Sequence, residues 1–268
     1  MRKSIVLKFG GASVATPENF LFISDIVLKR AQFFENVIVV VSAMGNTTND
    51  LIDLAKKVHP NPPERELDML VSIGERTSIS LLAMALELKG RKAISFTGSQ
   101  SGIITCEKHT DAKIIDVKPS RILDSLKLGN IVIVAGFQGV SRNKEITTLG
   151  RGGSDTSAVA LAVSVGAKVV EFYKDVEGVY TKDPKRDSTA RLLPKMSYDD
   201  AIKMCDAGAE ILHSRCIRLA KKNGCLLRVL SYKEALKTSN IDELGTTIGS
   251  KGIKSIENIS YEDYQKVF

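Results

Sequence analysis

One lysine runs straight into two glycines near the start of the chain. In "IVLKFGGAS" an apolar run carries Lys8 and ends at Gly10 and Gly11. Glycines at a strand exit let backbone N–H groups approach an anion with no Cβ in the way, and an ammonium beside them adds a compact positive charge. A second stretch, "TLGRGGSDTSAVALA", sets Gly150, Gly152 and Gly153 around Arg151 and ahead of a helix starting near Ser154, with Asp155 in its first turn. The amino end of that helix offers unpaired N–H groups and the positive end of its dipole. Two glycine-rich strand exits, one with a lysine and one with an arginine and an aspartate, suit a phosphate donor and an acceptor brought into one crevice. The competing reading is a plain turn at Gly10–Gly11 and a capped helix at Ser154, which leaves the arginine among the glycines unexplained. Neither stretch is a GxxxxGK[ST] phosphate loop or a GxGxxG dinucleotide loop.

The elements that must position these residues alternate. "SIVLKF", "NVIVVVSA", "KAISFTG", "NIVIVAGFQGV", "AKVVEFYKDV" and "CLLRVLS" read as strands, several of them apolar on both faces as buried parallel strands are. Between them "ENFLFISDIVLKRAQ", "DLIDLAKKV", "ERELDMLVSIGERTSISLLAMALELKG", "SRILDSLKLG", "SDTSAVALAVSVGA" and "YDDAIKMCDAGAEILHSRCIRLAKKNG" carry apolar residues three to four apart, the helical period. The expected fold is α/β: a three-layer αβα sandwich with a mainly parallel central sheet and ligands beyond the carboxyl ends of its strands. A lobe boundary is expected near Thr147–Gly153.

Composition sets the outer limits. The 268 residues suffice for one α/β domain with two lobes, and 43% apolar with 26% charged residues is ordinary for a soluble enzyme. No uninterrupted apolar stretch approaches the roughly 18 to 20 residues of a membrane span, and "IVL" is far short of a secretory apolar region, so a cytoplasmic protein without membrane association is expected. Cys106, Cys205, Cys216 and Cys225 show no metal-ligand spacing, and His59, His109 and His213 form no cluster; reduced buried thiols and no protein-held metal are expected. The net charge of +7 is scattered among acidic neighbours, which argues against nucleic acid as a partner.

Taken in order, "KFGGAS", "SAMGNTTNDLI", "SIGERTS", "GRGGSDTSA" and "DVEGVYTKDP" resemble the catalytic domain of aspartate kinases, within the amino acid kinase superfamily, from about Lys3 to Thr247. The resemblance implies the amino acid kinase fold, with an acceptor lobe over about 1–146 and a nucleotide lobe over about 147–250. It also implies ATP-dependent phosphorylation of the side-chain carboxylate of L-aspartate to 4-phospho-L-aspartate, the entry step to lysine, threonine, methionine and diaminopimelate synthesis. An ionised carboxylate needs no general base, so positioning and charge stabilisation carry the catalysis.

By this resemblance Lys8 reaches the transferring phosphoryl group, Gly10 and Gly11 line its path and Ser13 adds a hydroxyl. Arg151 grips the substrate's α-carboxylate through its planar fork. Asp155, the second catalytic residue, and Glu75 orient the amino group of aspartate and the catalytic lysine. Ser154 joins the substrate side, as does Thr47 or Thr48, with Thr47 favoured. On the nucleotide side Asp175 makes a polar contact, Tyr180 packs on adenine or ribose, and Lys182 or Lys185 lies near the phosphates. Lys174 stands there where the family commonly has threonine. Glu210 occupies a place where some relatives have lysine, and Ser214 replaces a usual proline. Mg²⁺ is expected with ATP, held mainly by phosphate oxygens.

Aspartate kinases typically continue into regulatory ACT domains. The expected tail, 251–268, is too short for one, so either the chain is a shortened form or the enzyme lacks that control. A homodimer is expected. Three rivals stand beside this reading. A sister kinase acting on acetylglutamate, glutamate, carbamate or a nucleotide is opposed by Glu75, Arg151 and "SAMGNTTN". A silent nucleotide sensor is opposed by the retention of Lys8 and Asp155. A nucleic-acid-binding protein would bind with steep salt dependence.

Overall fold

The computed structural model of the chain describes residues 2–184, 186–249 and 259–263. The first half runs β1 (Arg2–Phe9), α1 (Pro17–Ala31), β2 (Phe34–Val41), α2 (Thr47–Val58), α3 (Glu64–Val71), α4 (Ile73–Leu88), β3 (Ala93–Phe96), β4 (Ile103–Thr105), β5 (Ile114–Val117) and α5 (Ser120–Lys127). Then come β6 (Ile131–Ala135), β7 (Gln138–Ser141), β8 (Ile146–Thr148), α6 (Gly153–Ser164), β9 (Val169–Lys174) and β10 (Lys195–Met196). The chain continues through α7 (Tyr198–Asp206), α8 (Ser214–Lys222), β11 (Leu226–Ser231), α9 (Tyr232–Lys237) and β12 (Thr246–Ile248).

Each of the six β-branched runs contributes a strand to one eight-stranded sheet, ordered β10-β12-β11-β9-β1-β2-β6-β3. It is parallel except where β12 meets β11. Side chains alternate across it. Ile5, Leu7 and Phe9 of β1 meet α1, α4 and α9 through Phe20, Ile23, Leu82 and Ala235. Val6, with Ile38, Val134 and Phe172, meets α5 to α8 on the other face through Ile122, Ala158, Leu161, Ala201 and Ile217. Period-two alternation puts Lys8 on the same face as Val6, the face that α6 covers. α6 is apolar from Ala158 to Val163 and almost wholly buried along its length, as a helix between a sheet and an outer helix must be. Helices on both faces of a mostly parallel sheet are the expected three-layer arrangement.

The structure adds a second sheet, β5-β4-β7-β8, that the strand pattern does not show. "NIVIVAGFQGV" reads as one strand but splits. Gly136 passes so close to α6 that a Cβ there would lie 2.7 Å from the Ser154 Cβ, Phe137 turns the chain at φ 66°, and β7 enters the second sheet. The long helical run 64–90 is broken at Ser72, whose carbonyl accepts a hydrogen bond from Gln138 Nε2 at 2.8 Å. By length and composition Glu64–Leu88 could cross a membrane, yet half of its apolar window is buried inside this fold. The last run, 198–224, is broken at Gly208, which takes φ 97° after α7. Of the tail 251–268, residues 259–263 are described and lie against α8 and β5, where Glu262 N–H donates to the Ile114 carbonyl at 3.1 Å. The expected lobe boundary falls on the loop between β8 and α6.

Candidate active site

Lys8 leaves β1 next to its carboxyl end, in register with Val40 of β2 and Phe172 of β9, and its Nζ lies 2.6 Å from Oδ1 of Asp155 in the first turn of α6. Both side chains are about nine-tenths buried. Burial by itself would raise the Asp155 carboxyl. The charges of Lys8 and Lys174, with hydrogen bonds from Lys8 and the His213 main-chain N–H, outweigh it and hold the carboxyl below the ordinary aspartate range. Lys174, at the carboxyl end of β9, donates to the carbonyls of Glu210 (3.2 Å) and Ile211. Burial, opposed by Asp155 and reinforced by Lys8, draws its ammonium below the ordinary lysine range. Two cations thus flank one buried carboxylate where three parallel elements end.

In front of this pair opens a cleft of about 610 Å³, lined by Lys8, Gly11, Ala43, Gly45, Thr48, Asn49, Asp68, Glu75, Thr110, Thr148, Ser154, Asp155 and the loop Gly150–Gly153, among others. Glu75, in the first turn of α4, is part of this lining. Gly74 makes this possible, since a Cβ there would sit 2.7 Å from the Ala43 Cβ; α4 therefore starts hard against the exit of β2. Glu75 is 2% exposed, Oε1 accepts from the Ala43 N–H at 3.1 Å, and Oε2 is buried with no hydrogen-bond partner among the described residues. Burial pushes its carboxyl up to about 7, restrained by the hydrogen bonds of the Glu75 and Ala43 amides and by the Lys8 charge. A buried carboxylate oxygen without a donor is costly unless a ligand supplies one.

The loop between β8 and α6 needs its glycines. Gly150 and Gly152 both take φ 70°, and a Cβ on Gly152 would come within 2.1 Å of the His213 Cβ. This tight passage delivers Arg151, exposed, to the rim of the cleft and aims the amino end of α6 into it. Gly11 is equally constrained, with the carbonyls of Ala43 and Gly45 at 3.1 and 3.2 Å from where its Cβ would be.

Lys8, Gly11, Glu75, Arg151, Ser154 and Asp155 therefore converge on one cleft, with Lys174 beside Asp155. Gly10 stands behind that lining, at 3.6 Å from Lys8 Nζ to the place of its Cβ. The Ser13 hydroxyl donates to the Gly10 carbonyl at 2.7 Å, closing a 3₁₀ turn. The Thr47 hydroxyl likewise serves the backbone, donating to Met44 O at 2.7 Å, while Thr48 lines the cleft. Asp175, Tyr180 and Lys182 lie outside this lining on the segment after β9. There Tyr180 donates to Glu177 (2.7 Å) and Lys182 pairs with Asp187 (2.7 Å). Lys185 lies outside the described residues.

Asp68 was not legible as a site residue. It is fully buried, accepts from Thr148 Oγ1 at 2.5 Å and from the Thr110 N–H at 3.2 Å, and lies 2.7 Å from His109 Nδ1. Its one sequence signal is a carboxylate on the apolar stripe of "ELDMLV". A second cavity, about 720 Å³, opens at the amino ends of β1, β9 and β11 beside Arg30, Glu171 and Arg228. It holds none of the candidate residues and lies at the wrong end of the strands for an α/β-sheet ligand.

Residues 3–231 match the model of the amino acid kinase family. The chain belongs to that family. It is 47% identical over 260 residues to an aspartokinase of Mycolicibacterium smegmatis, an alignment covering 97% of this chain and 59% of that protein. The chain thus spans about three-fifths of the length of that curated relative. Among solved structures, the aspartate kinase from Synechocystis superposes with a TM-score of 0.81 at 38% identity, covering 96% of this chain and 41% of the other. E. coli aspartokinase III in complex with aspartate and ADP superposes with a TM-score of 0.81 at 26% identity, covering 92% and 65%. Open α/β sheets bind ligands beyond the carboxyl ends of their strands, where the Lys8 cleft lies.

Proposed function

We propose that this chain transfers the γ-phosphoryl group of ATP to the side-chain carboxylate of L-aspartate. The observation that carries the reading is the cleft itself, where a buried Lys8–Asp155 ion pair, a buried carboxylate with an unpaired oxygen and an exposed guanidinium come together. Glu75 and Arg151 are complementary to the ammonium and α-carboxylate of an amino acid. The similarity to aspartokinases, one of them solved with aspartate and ADP, supports aspartate as that amino acid.

In this reading Arg151 holds the α-carboxylate as a two-donor fork, with Ser154 and the amino end of α6 beside it. Glu75 receives the ammonium. The substrate's side-chain carboxylate then faces Lys8. One of its oxygens forms a bond to the γ-phosphorus as the bond to the β–γ bridging oxygen breaks, and ADP leaves. No proton has to be removed from the nucleophile, so the protein's task is orientation and neutralisation of charge. Lys8 meets the charge on the transferring group, Asp155 keeps Lys8 aimed, and the Gly10–Gly11 turn leaves the approach open. Lys174 adds a second cation on the nucleotide side, with Asp175, Tyr180 and Lys182 on the segment that would close over the nucleoside. Thr48 contacts the substrate from the wall that Thr47 shapes.

Mg²⁺ belongs to this reading as an ion carried by the phosphates. Asp155, the carboxylate nearest the transfer site, is engaged with Lys8, which fits an ion held mainly by nucleotide oxygens and water. When bound it withdraws charge from the leaving phosphates. The acceptor and nucleotide lobes divide near Thr147–Gly153, and a homodimeric, cytoplasmic enzyme opening lysine, threonine and methionine synthesis completes the proposal. ADP release from ATP, measured with aspartate, acetylglutamate, glutamate, carbamate and UMP in turn, tests it. Turnover with aspartate alone supports the reading; turnover only with another acceptor overturns it.

A further inference from the structure

The loop Gly150–Gly153, called the acceptor loop because it carries Arg151, is held from outside the cleft by Arg215. Arg215, in the first turn of α8, donates through Nη1 to the carbonyl of Leu149 at 2.5 Å and through Nη2 to the carbonyl of Ala112. Leu149 is fully buried and directly precedes Gly150. Ala112 donates its N–H to Thr148 O at 2.9 Å and follows the turn at Thr110 that forms part of the cleft wall. The guanidinium is mostly buried, and its counter-charge comes from far along the chain. Nε and Nη2 pair with the two carboxylate oxygens of Glu262, the latter at 2.8 Å.

Residues 259–263 carry Glu262 and are seated at several points. Glu262 brackets Ile114 at the edge of the second sheet, its N–H donating to Ile114 O (3.1 Å) and its Oε2 accepting from Ile114 N (2.8 Å). Asn223, at the end of α8, exchanges two hydrogen bonds with the Ser260 backbone, at 2.7 and 3.0 Å. Lys222 reaches Tyr261 O (3.2 Å) and Asp263 (2.9 Å). The segment therefore ties both ends of α8 to β5, and Arg215 passes that tie to the main chain next to Gly150.

We propose that Arg215 and Glu262 are positioning residues for the acceptor loop, so that seating or release of residues 259–263 sets how well Arg151 is presented to the amino-acid substrate. This rests on the aspartate kinase reading for its kinetic part. Bidentate, charge-assisted pairing fixes direction as well as distance. Without Glu262 the guanidinium has, among the described residues, only Asp111 as an acidic partner, 3.9 Å away at the surface, and turning toward it withdraws the donor from Leu149 O.

The test uses Glu262→Gln and, as a milder variant that leaves Arg215 and Glu262 intact, Asn223→Ala. Expected are a rise in KM for aspartate of about tenfold for Glu262→Gln, the equivalent of one charge-assisted hydrogen bond, and a smaller rise for Asn223→Ala. KM for ATP and kcat stay within about twofold. Amide hydrogen exchange across 149–153 speeds up in both variants, a readout that needs no turnover. Unchanged exchange and an unchanged aspartate KM in folded Asn223→Ala and Glu262→Gln proteins overturn the proposal, as does a parallel loss for ATP. If wild-type protein turns over a different acceptor, the function assigned above fails while the exchange result still decides the positioning role.

Discussion

Glu75 gives the sharpest prediction. Its carboxyl is buried, has one oxygen without a partner, and is pushed up to about 7. The free enzyme therefore holds much of it protonated near neutrality, whereas a substrate ammonium requires the carboxylate. With a value near 7, about a tenth is ionised at pH 6 and about nine-tenths at pH 8. Aspartate should thus bind about tenfold more weakly at pH 6 than at pH 8, with close to one proton released per aspartate near pH 6. The rise from the ordinary glutamate value of 4.5 to about 7 corresponds to about 3 kcal/mol. Because the folded value is raised, that stability is present in full below about 4.5 and is lost as the pH rises through about 7. Glu75→Gln should then be more stable than wild type at pH 8, by up to about 3 kcal/mol. It should bind aspartate poorly at every pH. Calorimetry of aspartate binding in two buffers of different ionisation enthalpy, with no nucleotide present, counts the proton directly. PH-independent binding, or a Glu75→Gln protein that keeps wild-type affinity, refutes the assignment of Glu75 to the ammonium.

Other perturbations follow from the same geometry. Lys8→Ala strands a buried aspartate and should cost about 3–5 kcal/mol as well as activity, while Lys8→Met with Asp155→Asn should recover most of the stability and none of the turnover, read by denaturant unfolding beside an activity assay. Gly152→Ala places a Cβ on the His213 side chain at a φ of 70° and should abolish aspartate turnover while ATP binding, followed by titration, survives. Lys174→Ala should lower kcat or raise KM for ATP by about tenfold, the scale of one charged contact, and leave aspartate affinity unchanged.

The six central strands were legible because β-branched residues on both faces mark buried parallel strands. Lys8 stood out as a charge on such a strand. The glycines at 150, 152 and 153 announced a close approach, and the structure shows what approaches: His213, Thr110 and Phe137. The second sheet was not legible, since its strands have three or four residues each and one of them, β7, is continuous in pattern with β6. Breaks at Ser72 and Gly208 were hidden within helical periodicity, which reports a buried stripe and not its continuity. Glu75 could be singled out only by resemblance. Asp68 and Arg215 were invisible for a related reason: their partners, Thr148, Leu149 and Glu262, lie 47 to 80 residues away.

The nature of the product tests the central claim most directly. Incubation with ATP, Mg²⁺, L-aspartate and hydroxylamine should yield the β-hydroxamate of aspartate in step with ADP, because an acyl phosphate on the side chain is what hydroxylamine traps. ADP formed without hydroxamate, or hydroxamate from another acceptor and none from aspartate, contradicts the account.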